Sequence, residues 1–340
     1  MLSERRRTVL AALVNEYVTS IQPVGSKVLV ERYGLGFSPA TVRSELQALE
    51  ETGHVFQPHV SSGRVPTDAG YRVFVNDVVG PVPGGLATVE AEGVRHYYES
   101  VDHELGDILR ETSALLSRLT SYVAVVAAPT LQRARIRRVT LVSLGPRRAS
   151  VVVVTDSGQV ANRTIDFDSD TTPEALASVE SYLCRTLDGA LSSEATTVRR
   201  AVEGVPGHEA GIALRAMDEV LDCLAEADED RVMTGGVSAL LAHPEFADPG
   251  VVRPLVGLLE DGLSMLRVLS EVMRTPEVEV RIGHENPVSA LERASFVAAR
   301  YGEGDRGGVV GIIGPTRMDY RRAIAAVRTV SDSLSEVLDS

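Results

Sequence analysis

The sequence contains few cysteines and no long apolar run. Cys184 and Cys223 cannot by themselves form a disulfide framework or a zinc site, so we expect both thiols to be reduced in a cytoplasmic protein. No apolar stretch reaches the roughly 18–20 residues needed to span a bilayer. No clean signal-peptide pattern follows Met1. These absences exclude a disulfide-rich secreted domain and predict no contact with a membrane.

Motifs for catalysis and for cofactor binding are also missing. The seven histidines are scattered, without an HExxH or Cys-x-x-Cys pattern, and no Gly-x-Ser-x-Gly motif occurs. Gly308, Gly311 and Gly314 recur every third residue, but no Gly-Lys-Ser/Thr follows, so this segment predicts a buried strand. His284 and Glu285 form an isolated pair that we assign to a surface or loop. We therefore expect no enzyme, no cofactor and no metal site.

The composition indicates a globular protein with an uneven charge. The chain has 340 residues, 44% hydrophobic and 24% charged, which is enough for two or three domains. Its net charge is −13, but residues 1–80 contain eight basic and eight acidic side chains, and the remainder contains 26 and 39. Because charge has to be considered domain by domain, the acidic total does not exclude binding of nucleic acid.

The first 80 residues predict a compact helical module. Apolar residues at helical spacing indicate helices after Ser3, from Ser26 and after Ser38, where Pro39 suits the first helical position. Two short strand patterns surround the turn at 61–63, and a fourth helix follows Thr67 as far as about residue 79. This order is typical of a winged helix-turn-helix, whose third helix enters the DNA major groove. A small helical domain packed on the rest of the chain is the alternative.

The third helix has an apolar face and a polar face. Val42, Leu46 and Leu49 form the predicted buried stripe. Hydroxyl, amide and guanidinium groups on the opposite face can bind base edges and phosphates. The candidate DNA-binding residues are Ser38, Ala40, Thr41, Arg43, Ser44 and Gln47, together with Lys27 in the second helix and Arg64 in the hairpin.

Five basic side chains leave alternatives open. For Arg43 we expect a contact with a guanine edge, the alternative being a pair with Gln47 or Glu50 on its own helix. For Arg64 we expect a phosphate or minor-groove contact. The run at residues 5–7, Arg-Arg-Arg, fits either a phosphate-facing arm or a solvated charge run.

The rest of the chain predicts a mixture of helices and strands. Between Val94 and Leu119, apolar residues follow one another at intervals that alternate between four and three residues, which predicts a linker helix with an apolar seam. This seam packs against a second subunit or against the helix's own domain. Further strands and helices indicate an α+β domain with an insertion. The predicted strands are 122–128, 136–143, 149–155, 160–167, 231–234, 277–282, 294–300 and 308–313; the predicted helices are 173–188, 192–202, 207–227, 249–273 and one after Pro315.

Five distinctive segments occur together and lie towards both ends of the chain. They are Pro23–Lys27, Ser38–Arg43, Gly63–Arg72, Arg281–Asn286 and Gly311–Tyr320. In combination they resemble the HrcA family, the heat-inducible transcription repressors of bacteria, over the full length of the sequence.

The resemblance implies an α+β multidomain fold. It places a winged helix-turn-helix DNA-binding domain in residues 1–78 and a linker helix in 79–120. A GAF-like domain follows in two parts, 121–165 and 231–340. A small α/β dimerisation domain is inserted between these parts at 166–230, an assignment that rests on position alone.

The resemblance also implies a function and partners. Members of the family bind double-stranded DNA as homodimers, at an inverted-repeat operator upstream of chaperone operons, and repress the chaperonin genes. The chaperonin GroEL favours the active repressor, which loses activity during heat stress. The alternatives are a winged-helix regulator whose GAF-like domain has a small-molecule pocket, and an architectural nucleoid protein.

Overall fold

The structure, a computed structural model, describes most of the chain. The described residues are 2–80, 86–98, 105–128, 135–156, 160–190, 209–229, 232–272, 278–302 and 307–339. Together they form a mixed α/β protein with three apolar cores.

Residues 2–80, which we call the head, form four helices and a short antiparallel hairpin. The elements are α1 (Glu4–Ser20), α2 (Ser26–Tyr33), α3 (Pro39–Glu51), β1 (Val55–Phe56), β2 (Val65–Pro66) and α4 (Asp68–Val73), which continues as a π-helix over Phe74–Val79. The order of elements confirms the predicted helices and hairpin. The side chains before three of the predicted helices cap them, because Ser3 Oγ accepts from Arg6 N at 3.4 Å, Ser38 Oγ from Thr41 N at 3.1 Å and Thr67 Oγ1 from Gly70 N at 3.2 Å.

The predicted linker helix at 79–120 is wrong, since two helices occupy this region. They are α5 (Thr88–Tyr98) and α6 (Leu105–Thr120). The Tyr98 hydroxyl lies 2.8 Å from the Thr112 hydroxyl, whereas fourteen residues of one continuous helix would separate them by about 21 Å. Apolar spacing alone does not reveal this break, because Val94 and Ile108 both pack into the same core.

A separate unit follows strand β3 (Val123–Ala127). It consists of a three-stranded antiparallel sheet and two helices that cover one of its faces, and the two helices and the sheet have a core of their own. Its elements are β4 (Ile136–Gly145), β5 (Arg148–Thr155), β6 (Val160–Asp166), α7 (Pro173–Leu187) and α8 (Glu209–Glu229). The helix predicted at 192–202 lies outside the described residues.

The boundary predicted at residue 166 does not coincide with the start of this unit. The three strands assigned to the first domain, β4 to β6, pair with one another and with no strand of the other described sheets. Residues 136–229 therefore form the inserted unit, because β3 pairs directly with β7, the next strand after the insertion. Alternation of apolar residues identifies a strand but carries no information about its partner.

The chain then completes the central domain. The remaining elements are β7 (Val232–Gly235), α9 (Pro249–Glu260), α10 (Gly262–Val272), β8 (Glu279–Ile282), β9 (Ala294–Tyr301), β10 (Gly308–Pro315) and α11 (Tyr320–Asp339). The single helix predicted at 249–273 is wrong, since it is interrupted at Asp261. The Asp261 backbone is extended and its carboxylate accepts from Ser264 N at 3.2 Å, so it starts a new helix.

The central sheet has five antiparallel strands in the order β7-β3-β10-β9-β8. Helices cover both of its faces, as the alternation of residues in β10 demonstrates. Val310 and Ile312 belong to the core formed with α5, α6 and α11, while Val309 and Ile313 belong to the core formed with α9 and α10. The strands predicted at 294–300 and 308–313 are confirmed as β9 and β10, which pair with each other in antiparallel orientation.

Candidate nucleic-acid interface

Helix α3 presents the predicted polar face to solvent. Its buried stripe contains Val42, Leu46 and Leu49 as predicted, and Glu45 in addition. On the opposite side Ala40, Arg43, Ser44 and Gln47 are exposed, and Thr41 is half-buried. The helix therefore offers a continuous polar surface beginning at its N-terminal turn.

Three of the candidate polar residues already have partners on α3 or at its N-terminal cap. The Ser38 and Thr41 hydroxyls are 2.9 Å apart, and Ser38 also caps the helix. The Gln47 amide donates to Glu51 Oε1 at 3.2 Å. The pair of Arg43 with Gln47 or Glu50 is not found among the described residues. Arg43 is free to contact another molecule.

Arg64 forms contacts within the head. Its Nε donates to Glu50 Oε2 at 2.9 Å, and only 19% of its side chain is exposed. Its backbone pairs with Val24, the N–H and C=O bonds being 2.8 and 2.9 Å long. Gly63 approaches the segment around Val24 so closely that a Cβ at Gly63 would overlap the Val24 backbone. The guanidinium that the sequence assigned to a phosphate therefore fixes the hairpin on α3, while the Arg64 backbone fixes it on the segment before α2.

The three arginines at residues 5–7 are partly exposed and form ion pairs within the head. Arg5 and Arg6 contact opposite oxygens of Glu45 at 2.7 and 2.9 Å, and Arg7 lies 3.0 Å from Asp77. The Glu45 carboxylate is buried against α1. Burial alone would raise its pKa, but the hydrogen bonds from Arg6 and Arg5 lower the pKa below its usual value. The pairs with Glu45 hold α1 against α3, and the pair with Asp77 holds α1 against the π-helix that follows α4.

The pairing of charges leaves two cations of the head unpaired. Of the eight Lys and Arg side chains in residues 2–80, six form ion pairs with acids, namely Arg5, Arg6, Arg7, Arg32, Arg64 and Arg72. Lys27 and Arg43 form none with any residue that the structure describes. Both are exposed, and both were predicted to bind DNA. The head's cations that form no ion pair with a described residue thus lie on α2 and α3.

The tip of the hairpin was missed by the sequence reasoning. Val60 is 98% exposed, and its neighbours His59 and Ser61 are exposed too. Gln57 closes the loop by donating to the carbonyls of Val60 and Ser62 at 3.0 and 2.9 Å. An apolar residue within a polar turn is the sequence feature that could have identified this tip.

Comparison with known proteins assigns the chain to a family. A sequence model described as "HrcA protein C terminal domain" matches residues 106–324. The chain belongs to the HrcA family of heat-inducible transcription repressors. A "Heat-inducible transcription repressor HrcA" from Nocardioides sp. is 40% identical over 100% of this chain and 99% of its own length. Another HrcA, from Pseudarthrobacter chlorophenolicus, is 42% identical over 99% of both chains.

One solved structure has the same overall fold. A chain described as a hypothetical protein is 22% identical to this HrcA-family member, covers 99% of both chains, and has a TM-score of 0.62. Among the residues described here, no group of three or more His, Cys, Asp or Glu side chains is arranged to hold a metal ion. No helix in the same part of the chain is long and apolar enough to cross a membrane.

Proposed function

We propose that the protein is a cytoplasmic repressor that binds an inverted-repeat operator of chaperone operons through α3. The head is a winged helix-turn-helix, with α3 in the major groove and the hairpin as the wing. The observation that carries this proposal is that Lys27 and Arg43 are unpaired while the other six cations of the head are engaged. Cations without an acidic partner are attracted to phosphates and to the guanine edge without first giving up an ion pair.

The remaining domains fit a dimeric repressor. The central sheet with helices on both faces corresponds to the GAF-like domain, and residues 136–229 to the inserted dimerisation domain. Two heads related by a two-fold axis match the two halves of an inverted repeat. A single head would bury only about 600–1,000 Å² on DNA, so a dimer also supplies affinity.

The outer face of the three-stranded sheet is the proposed dimer surface. The inner face contains Val139 and Leu141 and is covered by α7 and α8. The outer face is partly apolar, since Val142, Leu144 and Val160 are 46%, 55% and 61% exposed. An uncovered sheet face with exposed apolar side chains is the kind of surface that a protein–protein contact can bury.

Footprinting of the purified full chain on the chaperonin promoters of its own genome tests the proposal. We expect protection of an inverted repeat by the wild type and loss of that protection for Arg43→Ala. Asp170→Asn, which alters an exposed ion pair with Arg147 in the inserted unit, is the matched control and should protect normally. Equal affinity for the promoter and for a scrambled duplex would contradict a sequence-specific repressor.

The chaperonin GroEL is the proposed modulator, on the strength of the resemblance to the family and the name its members share. Added chaperonin should raise the fraction of protein that binds the operator after mild heating. A small molecule that changes operator affinity at constant temperature, where chaperonin has no effect, would favour the ligand-sensing alternative. Two clefts of about 470 and 510 Å³ between the head and the central domain are where such a ligand would fit.

A further inference from the structure

Four side chains from two distant segments join the head to the central domain. Asp68 Oδ2 accepts from His284 N at 3.1 Å and lies 2.8 Å from His284 Nδ1. Arg72 Nε donates to Glu285 Oε1 at 2.8 Å, while its Nη2 donates to Glu285 Oε2 and, at 2.5 Å, to the Val280 carbonyl. We call Asp68, Arg72, His284 and Glu285 the clasp. Each of these residues lies in a segment that carried the family resemblance, and none has a role in the proposed DNA contacts.

On the head side the clasp is connected to the end of α3. Thr67, next to Asp68, donates from Oγ1 to the Gly53 carbonyl at 2.7 Å and from its backbone N to the His54 carbonyl at 3.1 Å. Gly70 packs directly on His54, where a Cβ would overlap the carbonyl oxygen. A movement of α4 therefore displaces the helix that we propose to read DNA.

On the central-domain side the clasp is fixed to β8 and β9. Glu285 Oε2 accepts from Ile282 N at 2.9 Å. The buried amide of Asn286 donates to the carbonyls of Gly283, Leu291 and Ala294 at 2.9, 3.1 and 3.1 Å. Gly283 has φ +52°, and a Cβ there would overlap the Asp68 carboxylate. The turn that holds Asp68 is thus rigid and shaped for that carboxylate.

Weaker contacts of polar groups also cross the junction, since Arg317 Nη1 donates to the Val18 carbonyl at 3.5 Å and the Arg321 guanidinium lies 5.9 Å from the centroid of the Phe74 ring. Apolar packing continues across it around Tyr71 and Tyr320, whose ring centroids are 5.8 Å apart, and the two clefts lie beside it. Apolar contacts have no directional preference, whereas a two-point contact between a guanidinium and a carboxylate fixes an orientation. The clasp therefore adds a directional restraint to a junction that otherwise depends mainly on the packing of a shared core.

We propose that the clasp residues are positioning residues that set the angle of each head and thereby the operator spacing that the dimer accepts. This inference rests on the proposed function as a dimeric operator-binding protein. Each base pair inserted between half-sites moves one of them by about 3.4 Å and rotates it by about a tenth of a turn. Heads held at a fixed angle cannot follow that displacement, but heads released from the clasp can.

The test compares the wild type with Asp68→Asn/Glu285→Gln, which removes both acidic charges with little change in shape. Affinity is measured for the natural operator, for operators with one or two base pairs inserted, and for a single half-site. We call the loss of affinity caused by the inserted base pairs the spacing penalty. This penalty should fall by roughly five- to tenfold in the variant, while the affinity for the half-site stays unchanged. Asp170→Asn is the matched control and should keep the full penalty. An unchanged penalty in the double variant overturns the inference.

A second measurement does not depend on DNA. Full-length protein with Cys184→Ser and Cys223→Ser is labelled at Val60→Cys in the hairpin and Leu241→Cys in the central domain, both highly exposed positions. The distance between the two spin labels then reports how the head lies on the central domain. The distance distribution should broaden in the clasp variant, and an unbroadened distribution overturns the inference even if the operator is bound. If the wild type binds no operator, the proposed function fails, while this distance still decides whether the clasp fixes the head. The single variant Glu285→Gln replaces the double variant if circular dichroism shows that the latter is unfolded.

Discussion

At the residue scale, the ion pairs of the head determine which cations are available. Glu45, Glu50 and Asp77 engage Arg side chains whose sequence positions suggested contact with phosphate. Arg43 is left unpaired on the exposed side of α3. The distinction between structural and DNA-binding arginines therefore depends on which acids fold against them.

Arg43 and Arg64 should differ in the way they affect DNA binding. Arg43→Ala should weaken operator binding by roughly 1–3 kcal/mol, because a bidentate contact to guanine is lost, with little effect on random DNA. Arg64→Ala should weaken both duplexes by the same factor and lower the melting temperature, because its contact with Glu50 holds the hairpin. Titrations against operator and scrambled duplexes at several salt concentrations distinguish the two. Equal losses on both duplexes for Arg43→Ala would show that this arginine does not read sequence.

His284 should titrate above the usual range for histidine. The hydrogen bond to Asp68 and the charge of its carboxylate raise the pKa of His284 above 6.5. The contact with imidazolium is therefore complete below pH 6.5 and is lost as the pH rises through the raised pKa. NMR titration should give a pKa nearer 6.5 in Asp68→Asn, with the resonance assigned from His284→Gln. An identical titration curve in both proteins would mean that the pair does not form in solution.

At the element scale, helix ends depend on contacts that periodicity does not contain. The apolar spacing across residues 94–119 and 249–273 is continuous, yet a helix ends at Tyr98 and another at Glu260. In the second case Asp261 starts the following helix by accepting from the Ser264 backbone. A residue suited to capping interrupts a helix when both new helices can then pack on the sheet.

Gly70 should be required for the packing of α4, unlike an exposed helical glycine. Gly70→Ala should destabilise the protein by roughly 1–3 kcal/mol, because the Cβ overlaps the His54 carbonyl. Gly93→Ala in α5 is the control and should stabilise by about 0.5–1 kcal/mol, since nothing lies within 4 Å of its Cβ. Urea denaturation of both variants measures the difference. Similar midpoints for the two would contradict the close packing of α4 on the hairpin.

At the scale of the whole molecule, the inserted unit has its own core and one sheet face that its helices leave uncovered. Its helices cover one face of the β4–β6 sheet, so the other face has no covering element among the described residues. The head instead shares its core with the central domain through α4 and α11. Association of two copies through the inserted units would leave both heads free for DNA.

Charges on the outer sheet face should dissociate the dimer. Val142→Glu/Val160→Glu places carboxylates on that face, and burying them unpaired in an interface is costly. We expect a shift from dimer to monomer in sedimentation velocity, together with weaker binding to the inverted repeat. Val89→Glu, at an 80% exposed position on α5, is the control and should remain dimeric. A double variant that also sediments as a dimer would place the interface elsewhere.

The sequence by itself determined the local elements and the polar face of α3. The spacing of apolar residues identified α1 to α3 and the strands of the central sheet, and Ser38 and Thr67 marked two helix starts, because these features depend on near neighbours in the chain. Tertiary structure alone decided that β4 to β6 leave the central sheet, that Arg64 pairs with Glu50, and that Arg72 pairs with Glu285. Partners 14 and 213 residues apart meet only when the chain has folded, and the periodicity of a segment contains no information about the element it packs against.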